Sequence, residues 1–245
     1  MKRVLLAVLL TAACQDQSGR ISNEAPQEKS RIADVTASEN AAARDGISVQ
    51  VWSTVYFAKS LRPASGEGMP LLDMQDRALT APVQISALCE AAIEGTAILE
   101  GQVYNYAGMR GVKQDYCGTR TVMRNATLVR WKKATHPLGD GNRNNALIPF
   151  RTIACDQRSN WIPDPAGARP ARFGERILIP SARGTLLPNG EIHDGIFICG
   201  DVGGAIQGNH IDLYIGAAAD DRDAIAKSPF NFSKTSTPFQ AYVMP

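Results

Sequence analysis

No apolar run in this sequence is long enough to cross a bilayer as a helix. The stretch Val4–Ala13 falls well short of the roughly 20 residues that a span needs. An excess of charge of either sign is also missing. The formal net charge is +2, and Lys2 and Arg3 at the start account for it. The remainder is near neutral, which argues against charge-driven binding to nucleic acid or to an anionic membrane surface. With three His and five Cys, no Cys-x-x-Cys and no His cluster, the spacing of a metal site is missing, and no metal is expected. Gly203-Gly-Ala-Ile-Gln-Gly208 lacks the Lys-Ser/Thr of a phosphate loop, and there is no Gly-x-Ser-x-Gly elbow. Neither a nucleotide enzyme nor a serine hydrolase is supported, and no cofactor is expected.

What is present begins with a leader. Met1-Lys-Arg followed by Val4–Ala13 has the basic and apolar regions of an export signal. Leu10-Thr-Ala-Ala-Cys14 is similar to a bacterial lipobox, although Thr11 stands where Leu, Val or Ile is usual. That similarity implies a lipid on Cys14, and Gln15 after it implies the inner face of the outer membrane, hence a periplasmic protein held to a membrane by its anchor; Thr11 and Ala13 would also suit ordinary signal peptidase, which would leave no anchor. Residues 15–46, rich in Ala, Ser, Glu, Gln and Asn, read as a disordered tether. Its random-coil span of about 30 Å would let an anchored domain reach a polymer lying off the membrane.

The remaining length suits one sizeable core with an inserted unit. The 21 Gly and 14 Pro of the whole chain point to short strands joined by tight turns. Ile47–Phe57 alternates, with Ile47, Val49, Val51, Val55 and Phe57 on one face and Gln50, Trp52, Thr54 and Tyr56 on the other. Trp52 and Tyr56 on that second face could stack on a pyranose ring, or simply pack under a loop. Ile85, Leu88, Cys89, Ala92 and Ile93 keep a helical spacing that predicts a helix over 84–94 stopped by Gly95, with Glu90 and Glu94 on its solvated side. Strands are expected at 96–99, 102–106, 127–131, 146–156, 176–179, 196–199 and 210–215. The end of the chain, with Pro229, Pro238 and Pro245 among Phe230, Phe232 and Phe239, reads as an extended tail over 231–245.

The chain is organised around Cys199–Gly216. A strand ending at Cys199 delivers Asp201 into a turn containing Gly203, Gly204 and Gly208, and a second strand puts His210, Asp212 and Tyr214 on one face and Ile211, Leu213 and Ile215 on the other. Two carboxylates thus converge beside one glycine-lined turn. His193 and His210 read as turn or surface residues, and Asp220-Asp-Arg-Asp223 as an acidic cluster on a loop.

Asp201–Gly208 and Ile211–Tyr214 resemble the Asp-x-Gly-Gly-Ala-Ile-x-Gly and Ile-Asp-Val-Tyr motifs of the 3D domain family, named for three aspartates. Gln207 replaces the usual Lys. Ile153-Ala-Cys-Asp156 and Arg172–Pro180 are similar to the upstream family segments. The family includes the catalytic domain of membrane-bound lytic murein transglycosylase A.

The resemblance implies a mainly β protein, a six-stranded double-psi β-barrel over 47–60 and 146–230, interrupted by a small α+β subdomain over 61–145. It implies that the partner is the glycan strand of peptidoglycan, cleaved by Asp212 as acid and base with Asp201 and Asp156 as the other family aspartates. Gly203, Gly204, Tyr214, Trp52, Tyr56 and Asp221 are then candidates for substrate contact. The placement of Cys155 and Cys199 in one barrel, and of Cys89 and Cys117 in the insertion, implies disulfides within each pair. A glycan-binding module without activity, or an envelope scaffold, would share the fold.

Overall fold

The computed structural model describes residues 45–234 and 237–245. The expected leader, Cys14 and the tether as far as residue 44 lie outside them. Among the described residues no helix is long and apolar enough to cross a membrane.

The spine is strand β1, Ile47–Leu61. Its first half keeps the alternation read from the sequence, with Val49 and Val51 buried and Ser48, Gln50 and Thr54 exposed. From Tyr56 to Lys59 it is buried on both faces, and it serves three partners in turn. Ile47–Val51 pairs antiparallel with β9, Phe239–Val243. Trp52–Lys59 pairs parallel with β8, His210–Ala218. Lys59–Leu61 pairs parallel with β2, Thr96–Leu99. From β8 the sheet continues through β5, Thr152–Cys155, β7, Ile196–Asp201, and β6, Arg176–Leu178, back to β9. The six strands β1, β8, β5, β7, β6 and β9 therefore close on one another as a double-psi β-barrel, leaving no free edge within the ring. Val51, Phe57, Ile153, Ile177, Phe197, Ile211, Leu213 and Val243 fill it.

On the far side of β2 follow β3, Gln102–Met109, and β4, Val129–Lys133. They carry helix α1, Ile85–Glu94, and the short α2, Thr121–Ala126, around a second core of Leu71, Val83, Leu88, Tyr104, Val129 and Trp131. Gly95 ends α1 in the left-handed region (φ 79°), its N–H donating to the Ala91 carbonyl.

Three expectations are corrected. The supposed tail contains barrel strand β9, with Ala241 and Val243 buried in the ring; its alternation spans only five residues and is hidden between Pro238 and Pro245. The acidic cluster Asp220–Asp223 is not on a loop, because β8 runs on to Ala218 and helix α3, Asp221–Lys227, follows. Asp220 caps that helix through the Asp223 N–H at 2.9 Å, which makes the acidic cluster a helix start. The single strand expected over 146–156 is a turn at 148–151 followed by β5, with Phe150 at φ 61°.

Cys155 and Cys199 are joined, with Cα atoms 5.8 Å apart, and so are Cys89 and Cys117, at 5.5 Å. The first bond links β5 to β7 directly before Asp156 and near Asp201, and closes a loop of 44 residues. Replacing Cys155 and Cys199 by Ser should cost roughly 4 kcal/mol by unfolded-chain entropy, lowering Tm by about 8–16 °C in calorimetry. An unchanged Tm would show that the barrel alone fixes these strands.

Candidate active site

Alternation along β8 sends Ile211, Leu213 and Ile215 into the barrel core and turns His210, Asp212 and Tyr214 to the other side. Asp212 lies beside Thr54 of β1 in the parallel ladder, and the Thr54 hydroxyl is 2.7 Å from its Oδ1. Asp201, the last residue of β7, accepts from the Val202 N–H at 2.9 Å and from the Tyr56 hydroxyl at 3.0 Å.

Electrostatics separate these carboxyls from ordinary aspartates. Burial raises Asp212 to about 7, and the charge of Asp201 adds to the effect against the Thr54 hydrogen bond. Burial also raises Asp201, to about 6, opposed by the Val202 N–H, the Tyr56 hydroxyl and the backbone N–H of Asn142. The Tyr56 phenol is pushed well above its usual range by burial and by both aspartates. A carboxyl that still holds its proton near neutral pH can act as a general acid.

The backbone around the pair is tightly fitted. A Cβ on Gly200 would lie 2.6 Å from Asn145 Nδ2, and one on Gly141 would lie 2.7 Å from the Gly200 carbonyl oxygen. The loop 139–145 therefore packs against the end of β7 and brings the Asn142 N–H to Asp201. Gly203 is equally constrained, since a Cβ would lie 2.6 Å from Ile206 Cγ1. Gly204 is exposed with open space above it.

Asp156 serves the turn. It accepts from the Gly208 N–H at 2.7 Å, the Arg158 N–H at 2.8 Å, and the N–H and hydroxyl of Ser159. Burial would raise its carboxyl, yet the N–H groups of Gly208, Arg158 and Ser159 hold it below the usual range. Arg158 Nη2 completes the clamp through the carbonyls of Gly203 and Ile206, at 3.2 and 3.3 Å.

A strand ending at an aspartate, a glycine-built turn and a strand carrying a second, raised aspartate are thus one unit. Residues 170–227 match the 3D domain. No curated protein sequence matches the chain. Among solved structures, a membrane-bound lytic murein transglycosylase from Agrobacterium tumefaciens is similar with a TM-score of 0.50 at 11% identity, covering 93% of this chain and 81% of that one. E. coli MltA with bound chitohexaose gives 0.48 at 17% identity, with 80% and 72% covered. MltA from Neisseria gonorrhoeae gives 0.47 at 10%, with 82% and 74% covered. The Agrobacterium likeness concerns the fold.

Around the 3D domain, the structure redistributes several expected contacts. Tyr214 is fully buried, its hydroxyl donating to the Leu138 carbonyl, and Tyr56 is buried with its hydroxyl on Asp201. Neither presents a face for sugar stacking. Trp52 is half-buried and stacks flat on His210, with ring centroids 3.6 Å apart and planes 6° apart. His210 is therefore buried and part of the site. His193 is buried too, accepting the Gly195 N–H and facing the Phe150 carbonyl. Asp221 is exposed on the first turn of α3. Among the described residues no group of three or more His, Cys, Asp or Glu is placed to hold a metal ion. A cavity of about 470 Å³ lined by Arg169, Arg172, Phe173 and Arg176 shares no residue with this site.

One site residue, Glu94, is not on the expected solvated face. Helix α1 is rotated from its predicted stripe, so that Ile93 is exposed, Ala91 is buried, and Glu90 and Glu94 turn toward β1. Glu90 pairs with buried Lys59. Between Tyr56 and Ala58 the β1–β8 register slips by one, with Gly216 at φ 91° accommodating the extra residue of β8. The Phe57 N–H donates to Glu94 Oε2 at 3.1 Å instead. Burial raises Glu94 to about 8 against that hydrogen bond, and the charges of Asp212, Asp221 and Glu90 add to it. No periodicity marks such a residue; only its partners on β1 do.

A carboxyl raised on folding binds more protons folded than unfolded, so stability falls as pH rises, here from about 4.5 to about 8. Glu94→Gln keeps the Phe57 hydrogen bond and removes that penalty. It should raise Tm by several degrees at pH 8 and leave it unchanged at pH 4, as followed by circular dichroism. An equal gain at both pH values would mean that the Glu94 carboxyl titrates alike in the folded and the unfolded chain.

Proposed function

We propose that this protein is a peptidoglycan lytic transglycosylase, a carbon–oxygen lyase that cleaves the MurNAc–GlcNAc bond and leaves anhydromuramoyl ends. The observation that carries the reading is Asp212, a half-buried carboxyl raised to about 7 beside Asp201 in a 3D domain. The shared fold of the Agrobacterium murein transglycosylase supports the substrate class.

Such a reaction needs one carboxyl in two states. Protonated Asp212 gives its proton to the glycosidic oxygen as the bond from C1 to that oxygen breaks. The resulting carboxylate takes the proton from the muramic sugar's C6 hydroxyl as that oxygen bonds to C1, closing the anhydro ring and restoring the acid. Asp201 raises the proton affinity of Asp212 and, with Asp156 and Arg158, belongs to the frame that fixes the turn. Gly204, with open space above it, and the free face of Trp52 offer surface to the glycan. The leader and Cys14 support an exported protein, anchored by lipid to the outer membrane and working in the periplasm.

The test is incubation of the purified chain with intact sacculi and mass analysis of the soluble products. Anhydromuramoyl ends are expected. Reducing ends would mean hydrolysis instead, and pelleting with sacculi without release would make the protein a glycan-binding module.

A further inference from the structure

Next to Asp212 lies an ordered chain of polar atoms that single-carboxyl catalysis does not require. Thr54 Oγ1 is 2.7 Å from Asp212 Oδ1 and 2.8 Å from His210 Nε2. A threonine hydroxyl owns one hydrogen, so it can donate to only one of these neighbours and must accept from the other. The imidazole is held in plane by Trp52, stacked on its face at 3.6 Å. Burial lowers its proton affinity, opposed by a hydrogen bond to the backbone of Ala205. The relay requires the tautomer with the ring proton on Nδ1, which leaves Nε2 free to accept.

The geometry points to a proton relay, Asp212–Thr54–His210, in which His210 is a positioning residue that sets the protonation state of Asp212 through the Thr54 hydroxyl. In the resting arrangement Asp212 Oδ1–H donates to Thr54 Oγ1, and the Thr54 hydrogen donates to Nε2 of neutral His210. When Asp212 is an anion, the Thr54 hydrogen swings to Oδ1, and Oγ1 accepts from His210 Nε2–H. The two arrangements interconvert by one proton leaving Asp212 for Thr54 while another leaves Thr54 for Nε2. The charge pair then formed, carboxylate and imidazolium, balances the proton moved. Neutral Nε2 competes for the Thr54 hydrogen and so weakens the one hydrogen bond that holds the Asp212 carboxyl down.

The other ionisable groups around this chain are Tyr56 and Lys59 on β1, Asp201 on β7, Tyr214 on β8, Glu90 and Glu94 on α1, Asp221 on α3, and Asp156 and Arg158 beside the turn. Lys59 is held by Glu90 and the Ala219 carbonyl. None of them touches His210 Nε2.

The relay rests on the transglycosylase reading for its role in turnover, but its protonation pattern is measurable without substrate. His210→Phe keeps an aromatic ring against Trp52 and removes the Nε2 acceptor, which leaves the Thr54 hydrogen to Asp212 and favours its anion. In the full chain, the titration midpoint of the Asp212 carboxyl, followed by carbon-13 NMR, should fall by about one pH unit. The alkaline limb of product release from sacculi should move down with it. Nitrogen-15 shifts of wild-type His210 should show Nε2 without a proton in the neutral ring. In a Thr54→Val background, His210→Phe should produce no further shift. A folded His210→Phe variant with an unmoved Asp212 midpoint, or a neutral ring protonated at Nε2, overturns the relay. Absence of product from wild type overturns the transglycosylase reading, while the NMR midpoints still decide the relay.

Discussion

Asp212→Asn is expected to lower the release of anhydromuramoyl product by about 10³-fold, within the range that a general acid supplies. The amide keeps the shape of the carboxyl and can still meet Thr54 at the position now occupied by Oδ1, so the fold and sacculus binding should survive. What is lost is the proton that the carboxyl carries up to about pH 7. For wild type the acid form works, so activity should decline as pH rises through about 7. Stability should move in the same direction, because a carboxyl raised on folding destabilises the folded state above its unfolded value. The asparagine variant should therefore be inactive and, at pH 8, more heat-resistant than wild type. That pairing separates a catalytic loss from an unfolding one. Undiminished product release from Asp212→Asn would transfer the acid role to another carboxyl, with Glu94, held protonated to about 8, the nearest candidate in chemistry.

Deleting residues 239–245 should abolish folding. Strand β9 pairs with β1 over Ile47–Val51 and with β6 at Ile177 and Leu178, and its Ala241 and Val243 are buried in the barrel. Its removal opens the ring, exposes two strand edges and uncovers the apolar interior, a loss beyond the ~5–15 kcal/mol that holds a domain together. Truncated protein should lose its cooperative melt and aggregate. The milder Val243→Ala should fold and lose roughly 2 kcal/mol, or about 4–8 °C in Tm. A truncated chain that melts cooperatively near the wild-type temperature would make these residues an appendage.

The sequence was most legible where one local pattern dominates. Alternation in Ile47–Phe57 and His210–Ile215, and the helical spacing before Gly95, predicted β1, β8 and α1 close to their observed bounds. The 3D motif located Asp201 at the end of β7 and Asp212 on β8, strands that flank β5 in the sheet. What was hidden depends on distant partners. Strand β9 carries too short an alternation to outweigh its flanking prolines. Glu94 looked solvated because its helix was read as if apolar residues alone choose the buried face, whereas the freed Phe57 N–H and the Lys59–Glu90 pair turn the carboxylates inward. Tyr56 and Tyr214 share the alternation of exposed site residues, yet their rings lie 5.1 Å apart, buried between sheet and loop.

The ring is closed by its two ends. Gln50 and Gln240, hydrogen-bonded to each other across β1 and β9, are 190 residues apart in sequence. Such a contact carries a high loop-closure cost and cannot form until nearly the whole chain is available, so the folding rate is set by topology rather than by any local element. While the last strand is still being synthesised the barrel cannot close, and Ile47–Val51 at the start of β1 waits as an unpaired edge until Phe239–Val243 arrives to cover it.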